Sequence, residues 1–432
     1  MASIAPNSDE SGLQSESYRE KNESATASSS TVNPQSQPFD EAATKRLLRK
    51  LDWHLIPFFA LIYLLCFLDR TNVGNARLVK LEVDLGMRGL DYNVALAIFF
   101  PFYVIAEIPS NVMMKRIRPS IWLTFIMLAW GIIMTCMGLV HNFRGLLACR
   151  VFLGIAEGGL FPGVNYFITM WAKFLTMPER IEVERRLAAD SKSLSNDFHV
   201  KYVGHALADW KIWVMSIIAI GVFTPLYSIS LFLPTIIKEL GYANNAAQLL
   251  TVPPYAVACL LTIAGSYLAD KARQRGLFLL GFELVAIVGF VMLITNDIPH
   301  VQYAGTFFAA AGIFPAVPLI VAWNSNNIGG SLKRGVGIAL QIGIGNSGGV
   351  IASFVYISKD QPRFIQGHAI LIGTTSLSAC LTILMTTYYR RENARRDSLA
   401  HEHGTANTEL SDEVSPEMRE MGDQATFFRY TV

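Results

Sequence analysis

The chain carries little charge for its length. Asp, Glu, Lys and Arg make up 16% of its 432 residues, against about 25% in soluble domains. The net charge of +2 lacks the basic excess of nucleic-acid-binding proteins. None of its five cysteines forms the C-x-x-C pair of a redox or zinc site, and H-E-x-x-H, G-x-S-x-G and phosphate-loop motifs are missing. We therefore expect no nucleic-acid partner, metal, cofactor or enzyme activity.

Hydrophobic residues dominate instead, at 52% of the chain, and they gather into ten apolar segments. Each segment is near the ~20 residues that a helix needs to cross a bilayer. One such segment alone is compatible with a buried core helix, but ten in succession favour membrane spans. Because they are continuously apolar rather than alternating, we predict helices. Their approximate limits are 53–76, 94–114, 121–140, 145–171, 210–236, 248–269, 276–295, 302–323, 336–357 and 367–389.

Composition also predicts the domain organisation. The polar tails, 1–50 and 391–432, are expected to be disordered, and the first has no apolar region of a secretory signal. Residues 51–172 hold four predicted spans and residues 210–390 hold six, with a charged loop at 173–209 between them. The predicted fold class is an all-α integral membrane protein with two helical bundles.

Lysine and arginine near the span ends predict the orientation. They cluster at every second connection, on the side that also holds both termini. The opposite loops are short and poorer in charge, except for the loop after the first span, which carries Arg70, Arg77, Lys80 and Arg88. We therefore predict cytosolic N and C termini. The clusters lie at 45–50, 115–118, 173–186, 271–275, 333–334 and 390–396.

Two charged residues stand out in the first two spans. Arg70 follows Asp69 at the end of span one. Either this pair marks the membrane surface, or the helix continues through Asn75 and turns Arg70 into a central cavity. Arginine suits a carboxylate ligand there, since its guanidinium donates two parallel hydrogen bonds at fixed charge. Glu107 lies inside span two, where a charge costs on the order of 3 kcal/mol. It either carries a proton or belongs to a structural ion pair.

Span four is the richest in such residues. Arg150 and Glu157 are seven positions apart, nearly two turns, so they share one face about 10 Å apart along the axis. Opposite charges on one buried face indicate a polar cavity or an internal network. Gly154 and Gly158 form a small-xxx-small pair, which predicts close helix packing. In the ninth segment Asn346 is a candidate cavity group among glycines.

Together these motifs resemble the major facilitator superfamily. More narrowly, they resemble its anion:cation symporter branch, especially the fungal allantoate permease-like proteins. The resemblance covers roughly 50–392. It rests on DRTNVGNA at 69–76, EIPSN at 107–111, the stretch 150–163, LADK at 268–271, and 323–329 with the basic pair at 333–334.

The resemblance implies a major-facilitator-type two-bundle fold and secondary transport of a small organic anion, often with protons, by alternating access. In such carriers the counterparts of Arg70, Arg150 and Glu157 line the cavity and act in anion binding and proton coupling. Tyr227 and Asn346 sit where these carriers expose polar groups in the second half. By this resemblance the protein belongs in a lipid bilayer, and we expect the plasma membrane.

The proton has two candidate carriers, Glu157 first and Glu107 second. The resemblance also assigns Asp270, Lys271 and Arg275 to the family's gating turn. Without the resemblance, positive-inside sorting alone would explain so basic a turn.

One departure from the family is large. After Trp171 the family continues with a basic loop and two further spans, whereas here Ala172 opens a stretch that resembles the segment after family span six. Family spans five and six are therefore expected to be missing, which gives four plus six spans instead of six plus six. Three functions stay open: uptake of a vitamin-like or nitrogenous carboxylate, efflux of a secondary metabolite, and a truncated membrane protein that does not transport. The oligomeric state is also open.

Overall fold

The computed structural model describes residues 41–117, 119–159, 201–402, 422–426 and 428–432. Within these ranges all regular secondary structure is helical, as expected for segments that must satisfy their own backbone in lipid. Seven of the described helices are long and apolar enough to cross a membrane. The end of the fourth predicted span and most of the predicted inter-bundle loop lie outside the described residues.

The first half, residues 52–159, holds the predicted spans 53–76 and 94–114 in helices that also carry charged residues. Contacts divide the chain after Leu51, so the first turns of α1 belong to a separate unit from residues 52–432. The helices are α1 (Glu41–Leu78), α2 (Leu81–Asp84), α3 (Asp91–Ala97), α4 (Phe99–Arg116), α5 (Pro119–Gly138) and α6 (Phe143–Glu157).

The described part of the second half, within residues 201–432, contains two short helices and six long ones. Short 3-10 turns occur at Ser358–Asp360 and Gly422–Gln424. The helices are α7 (Lys201–Ala208), α8 (Trp210–Glu239), α9 (Asn244–Leu249), α10 (Val252–Ala272), α11 (Arg275–Thr295), α12 (Pro299–Asn327), α13 (Ser331–Val355) and α14 (Ile365–Glu402).

Helix α8 is the centre of this packing. In α8, 78% of the most apolar stretch is buried inside the protein, whereas only 11% of the corresponding stretch of α5 is buried. Helix α8 packs against α12, α13 and α14, and α13 in turn contacts α3 and α4 and so joins the two halves. Full burial explains why α8 tolerates Thr224 and Ser228 in its middle, because a helix surrounded by protein need not present a purely apolar face to lipid.

The predicted close packing of α6 is confirmed. A Cβ added to Gly154 would strike the backbone carbonyl oxygen of Phe99, and one added to Gly158 would strike that of Tyr103. Only glycine lets α6 approach α4 this closely. This approach places the buried face of α6, which carries Arg150 and Glu157, toward the interior.

The long helices end at two faces of the molecule. The C-terminal face holds the starts of α8 and α13, and the opposite face holds the end of α1 and the start of α9. At the opposite face the Asn93 side-chain amide donates to the Ser353 carbonyl at 2.5 Å, and the Asn244 amide donates to the Leu78 carbonyl at 3.0 Å. The two halves are therefore joined at this face.

The chain beyond residue 391 differs from the expected disordered tail. Helix α14 continues to Glu402, and residues 422–426 and 428–432, which we call the C-terminal segment, pack on the C-terminal face. Arg396 is the reason for much of this order, since its Nη1 donates to the carbonyl oxygens of Asp423, Ala425 and Phe428. Polar composition alone could not reveal so specific a pairing.

Candidate substrate site

A cavity of about 80 Å³ lies where the two halves meet. Pockets for drug-sized ligands usually occupy about 300–1,000 Å³, so this cavity is small by comparison. Aromatic and aliphatic side chains form most of its wall. Its polar lining consists of Cys66, Arg70, Tyr103, Glu157, Tyr227 and Asn346.

Arg70 is the central cation of the cavity. Because α1 runs unbroken to Leu78, the residue lies within a helix and only 7% of it is exposed. Its Nη2 lies 2.7 Å from Oε1 of Glu157, and its Nη1 donates to the Tyr227 hydroxyl at 3.1 Å. The guanidinium also lies 4.9 Å from the ring centroid of Phe99. Of the two interpretations of Arg70, the structure therefore has the one that turns it inward.

Two neutral side chains extend this arrangement into the second half. The Tyr227 hydroxyl, on α8, donates to Oδ1 of Asn346, on α13, at 2.6 Å. One hydrogen-bonded chain thus runs from Glu157 through Arg70 and Tyr227 to Asn346. It links four helices across both halves, so a change at one end alters the partners of the others.

Glu157 has a second donor that sequence reasoning missed. The Cys66 thiol, one turn before Arg70 on α1, donates to the same Oε1. Its only signal in the sequence was the four-residue spacing from Arg70, which places both side chains on one helix face. The thiol and the guanidinium together hold Glu157 as a hydrogen-bond acceptor beside the cavity.

Arg150 lies apart from the cavity lining, although it shares the face of Glu157. It is 1% exposed, and among the described residues its Nε and Nη2 find no hydrogen-bond partner. Its electrostatic neighbours are Tyr92, Glu157 and Arg70. The separation follows from helix geometry, since seven residues advance about 10 Å along the axis. The structure therefore leaves Arg150 within electrostatic range of the site but without direct access to it.

Glu107 is also separate from the cavity. It is 5% exposed on α4, and within the described ranges no hydrogen bond or ion pair joins it to another side chain. It faces α13 near Gly343, where an added Cβ would lie 3.8 Å from its Oε2. The two candidate proton carriers thus differ in kind, because Glu157 contacts Arg70 and Glu107 does not.

The predicted gating turn joins α10 and α11 at the C-terminal face. Arg275 holds Asp270 through Nη2 at 2.5 Å and Nε at 3.1 Å from Oδ1. Lys271 is exposed. The ion pair bridges the two ends of the turn, so Asp270 and Arg275, two of the three predicted gating residues, are in direct contact.

Other buried polar groups escaped sequence reasoning. Glu283 on α11 is fully buried and accepts from the Ser378 hydroxyl at 2.5 Å. At the C-terminal face Asp423 is 1% exposed beside Lys211 and Lys333. Lys211 is the second residue of the predicted span 210–236 and Lys333 belongs to a predicted basic cluster, so positive charge at both needed no special explanation, and Asp423 lies in a polar tail.

The described residues form long apolar helices with a polar site between two halves, an arrangement found in membrane transporters. Comparison with known families agrees. Residues 59–176 match the profile of the Major Facilitator Superfamily, and residues 201–356 match that of the sugar (and other) transporters.

Relatives among fungal proteins show the family directly. The MFS-type transporter cnsO of Penicillium expansum is 30% identical, with 91% of this chain and 92% of that protein aligned. The MFS transporter prlL of Fungal sp. (strain NRRL 50135) is also 30% identical, over 83% of this chain and 89% of that protein. The high-affinity nicotinic acid transporter of Saccharomyces cerevisiae is 23% identical, over 82% and 80%. The chain belongs to the major facilitator superfamily and is a multi-pass transporter rather than an enzyme.

A solved structure supports the fold. The crystal structure of a bacterial homolog of the human lysosomal transporter Spinster, in an inward-facing and unoccupied conformation, superposes with a TM-score of 0.55. It is 15% identical and aligns with 82% of this chain and 98% of its own. At this identity the likeness concerns the fold alone.

Proposed function

We propose that the protein carries a small organic anion, with a carboxylate as the recognised group, together with protons. We further propose, from the motif resemblance, that it belongs to the anion:cation symporter branch, near the allantoate permease-like carriers. One observation carries the proposal: Arg70 is a buried guanidinium whose only described anionic contact is Glu157, inside a cavity with neutral hydrogen-bonding groups on its other side. A substrate carboxylate is the natural competitor for that contact, because it can accept both parallel hydrogen bonds of the guanidinium.

Proton coupling follows from the same competition. While Glu157 is ionised it neutralises Arg70, and an incoming carboxylate would meet a compensated site. A proton on Glu157 removes that charge and frees Arg70 for the anion. Proton and anion then bind together, which is the requirement for symport. Tyr227 and Asn346 offer the anion hydrogen bonds from the second half, so its binding can draw the halves together.

A relative supports a carboxylate substrate. The Saccharomyces cerevisiae protein is described as a nicotinic acid transporter, and nicotinic acid is a small aromatic carboxylate. The aromatic wall of the cavity, with Phe67, Tyr103 and Phe223, suits such a ring. Efflux of a secondary metabolite is the alternative, and the direction of transport in vesicles of known orientation separates the two.

We further infer cytosolic termini and location in the plasma membrane. Lysine and arginine clusters at every second connection support this sidedness. A cysteine placed at residue 190 should react only with a reagent supplied from the cytosol. Labelling of that position from outside the cell would contradict the proposed topology.

We also propose that family spans five and six are missing between Trp171 and Ala172. The alignment with the Penicillium expansum transporter runs over 480 residues but uses 91% of this 432-residue chain, about 393 residues, so roughly 87 alignment positions have no counterpart here. Two spans of ~20 residues each with their loops fit into that length. The junction itself lies outside the described residues.

The anion proposal is tested by binding to the purified protein. Small carboxylates, beginning with nicotinate, are each compared with their primary amide, which has nearly the same shape and no charge. We expect the acids to raise the melting temperature and the amides to leave it unchanged, with a larger rise at acidic pH. Equal effects of nicotinate and nicotinamide would contradict recognition of a carboxylate by Arg70.

A further inference from the structure

The C-terminal segment ties together the starts of two helices. The Asp423 carboxylate accepts from Lys211 Nζ at the start of α8 through Oδ2, and from Lys333 Nζ at the start of α13 through Oδ1, the latter at 2.5 Å. Lys333 also donates to Asp209 Oδ2 at 2.7 Å. Two acids and two lysines thus form a neutral cluster, and one buried carboxylate bridges two different helices.

Several further contacts hold the segment in place. Trp323 Nε1 on α12 donates to the Thr431 carbonyl at 2.9 Å, and Thr431 N donates to Oδ1 of Asn327 at 2.7 Å. The ring of Tyr430 stacks on Tyr389 of α14 with the centroids 4.7 Å apart. The segment is therefore seated on four helices, of which only α8 and α13 are joined by its carboxylate.

Those two helices are the ones that bring the second half to the site. Tyr227 lies 16 residues beyond Lys211 on α8, about 24 Å along the axis, and Asn346 lies 13 residues beyond Lys333 on α13, about 20 Å along it. The two helices pack against each other between these levels, where an added Cβ on Gly345 would lie 3.1 Å from the Cβ of Ala219. Close-packed interiors have low compressibility and transmit strain, so we expect the spacing of the two helices at the C-terminal face to affect their spacing at the site.

We propose that Asp423 is a positioning residue for the substrate site. By bridging Lys211 and Lys333 it fixes α8 against α13, and this keeps the Tyr227 hydroxyl in hydrogen-bonding distance of Asn346 and Arg70. The second half then rocks as one body during alternating access. Burial raises the pKa of the Asp423 carboxyl, but the two lysines outweigh burial and hold that pKa below its ordinary value, so the bridging carboxylate stays ionised at neutral pH.

The inference rests on the proposed function only in taking Tyr227 and Asn346 as site residues, and its test needs no substrate. Cys66 reports on the site because it is 6% exposed at the cavity. We replace the other four cysteines by serine and measure how fast a small maleimide reacts with Cys66. A chain that carries no anion can still be tested in this way, so failure of the transport proposal and failure of this one remain distinguishable.

Asp423→Asn should speed the reaction of Cys66 about tenfold, since a shift of 1.4 kcal/mol in the opening equilibrium corresponds to that factor. The matched control is Asp397→Asn, which removes an exposed ion pair between α14 and Arg429 of the same segment and should leave the rate unchanged. Asp423→Glu keeps the charge and should remain near the parent rate. If Cys66 of the Asp423→Asn variant reacted with the maleimide as slowly as Cys66 of the parent protein, the proposal would be overturned.

A double-mutant comparison separates positioning from general loosening. Asn346→Ala should itself speed the reaction, and adding Asp423→Asn to it should give little further change, because both act on one contact. Effects that multiply would mean that Asp423 acts elsewhere, and would refute the inference.

Severing the segment after folding covers the case in which Asp423→Asn does not fold. A protease site inserted at residue 410 allows the purified, folded protein to be cut, and gel filtration shows whether the segment has left. Cys66 should then react faster, and a peptide of residues 418–432 should restore the parent rate. A rate unchanged by loss of the segment would also overturn the proposal.

Discussion

The two halves of the molecule bury their charges in different places. In the first half the buried charged residues are Arg70, Glu107, Arg150 and Glu157, and of these Arg70 and Glu157 line the cavity. In the second half most of them collect at the C-terminal face around Asp423 and Lys333, and the site receives neutral groups. Burying charge in lipid is costly. In the proposed function the first half recognises the ligand's charge, while the buried charges of the second half join its own helices to the C-terminal segment.

The largest expected effect concerns the completeness of the first half. Inserting the two-span segment of a full-length relative between Trp171 and Ala172 should raise nicotinate uptake from background to a saturable signal. The reason is that helices left without neighbours expose small and polar contact residues to lipid. Uptake is measured in cells that express equal amounts of either form.

An insertion of equal length built from flexible glycine and serine serves as the control and should not restore uptake. Vigorous uptake by the 432-residue chain alone would contradict this prediction. It would show that the first half needs no further spans for transport.

The next effect concerns the charge that the first half offers. Arg70→Ala should weaken nicotinate binding about 100-fold, because two charge-assisted hydrogen bonds of about 1.5 kcal/mol or more each are lost. Arg70→Lys should recover only part of this, since an ammonium cannot match a carboxylate with two parallel bonds. The dissociation constant is measured by calorimetry.

Arg150→Ala is the matched comparison, from the same half and equally buried. It should weaken binding less than Arg70→Ala, because Arg150 acts over a distance and does not line the cavity. The reverse order would mean that Arg150 reaches the anion in another conformation, as the family resemblance implies.

A smaller effect concerns proton coupling. Glu157→Gln keeps the shape of the side chain but cannot exchange a proton, so uptake should lose its dependence on pH while exchange of labelled for unlabelled nicotinate continues. Glu107→Gln should retain the pH dependence, because Glu107 does not contact Arg70. Unchanged pH dependence in both variants would refute proton coupling through these acids, and loss in Glu107→Gln alone would transfer the role.

The smallest effect concerns the charges of the second half. Because the pKa of Asp423 is lowered in the folded state, its stabilising contribution is present above the ordinary aspartate pKa of about 3.9 and is lost as pH falls through the lowered value. Hydrogen exchange of the 428–432 amides should therefore accelerate only in strong acid. The carboxylate is contacted by Lys211 from α8 and Lys333 from α13. The charged and titratable groups around it are Asp209, which contacts both lysines, and Arg396 and Tyr430, which donate to the main-chain carbonyl of Asp423.

Asp423→Asn provides the control for this acid effect. The variant should exchange quickly at neutral pH and show no further acceleration in acid. If the variant kept the parent's profile, another acid would be responsible for the change.

The helical membrane fold and the family could both be predicted from the amino-acid sequence. Continuously apolar runs of bilayer length are expected to form helices, because a helix satisfies its own backbone hydrogen bonds in lipid. The small residues of α6 could be recognised as a packing motif because their spacing places them on one face of the helix. The sequence also identified Arg70, Glu157, Tyr227 and Asn346, partly by chemistry and partly by resemblance, as candidates for one site. A charged residue inside an apolar span is informative because its burial in lipid costs free energy, so such residues are usually paired or functional.

Which of these residues meet could be learned only from the packing of the helices. Arg70 and Tyr227 are 157 positions apart, and no local pattern encodes a distance between helices. The structure joins them at the cavity, keeps Arg150 and Glu107 outside its lining, and brings Asp423 from a polar tail to two lysines. The physical reason is that hydrophobic runs specify which segments enter the membrane, whereas the pairing of buried polar groups depends on how whole helices pack against one another.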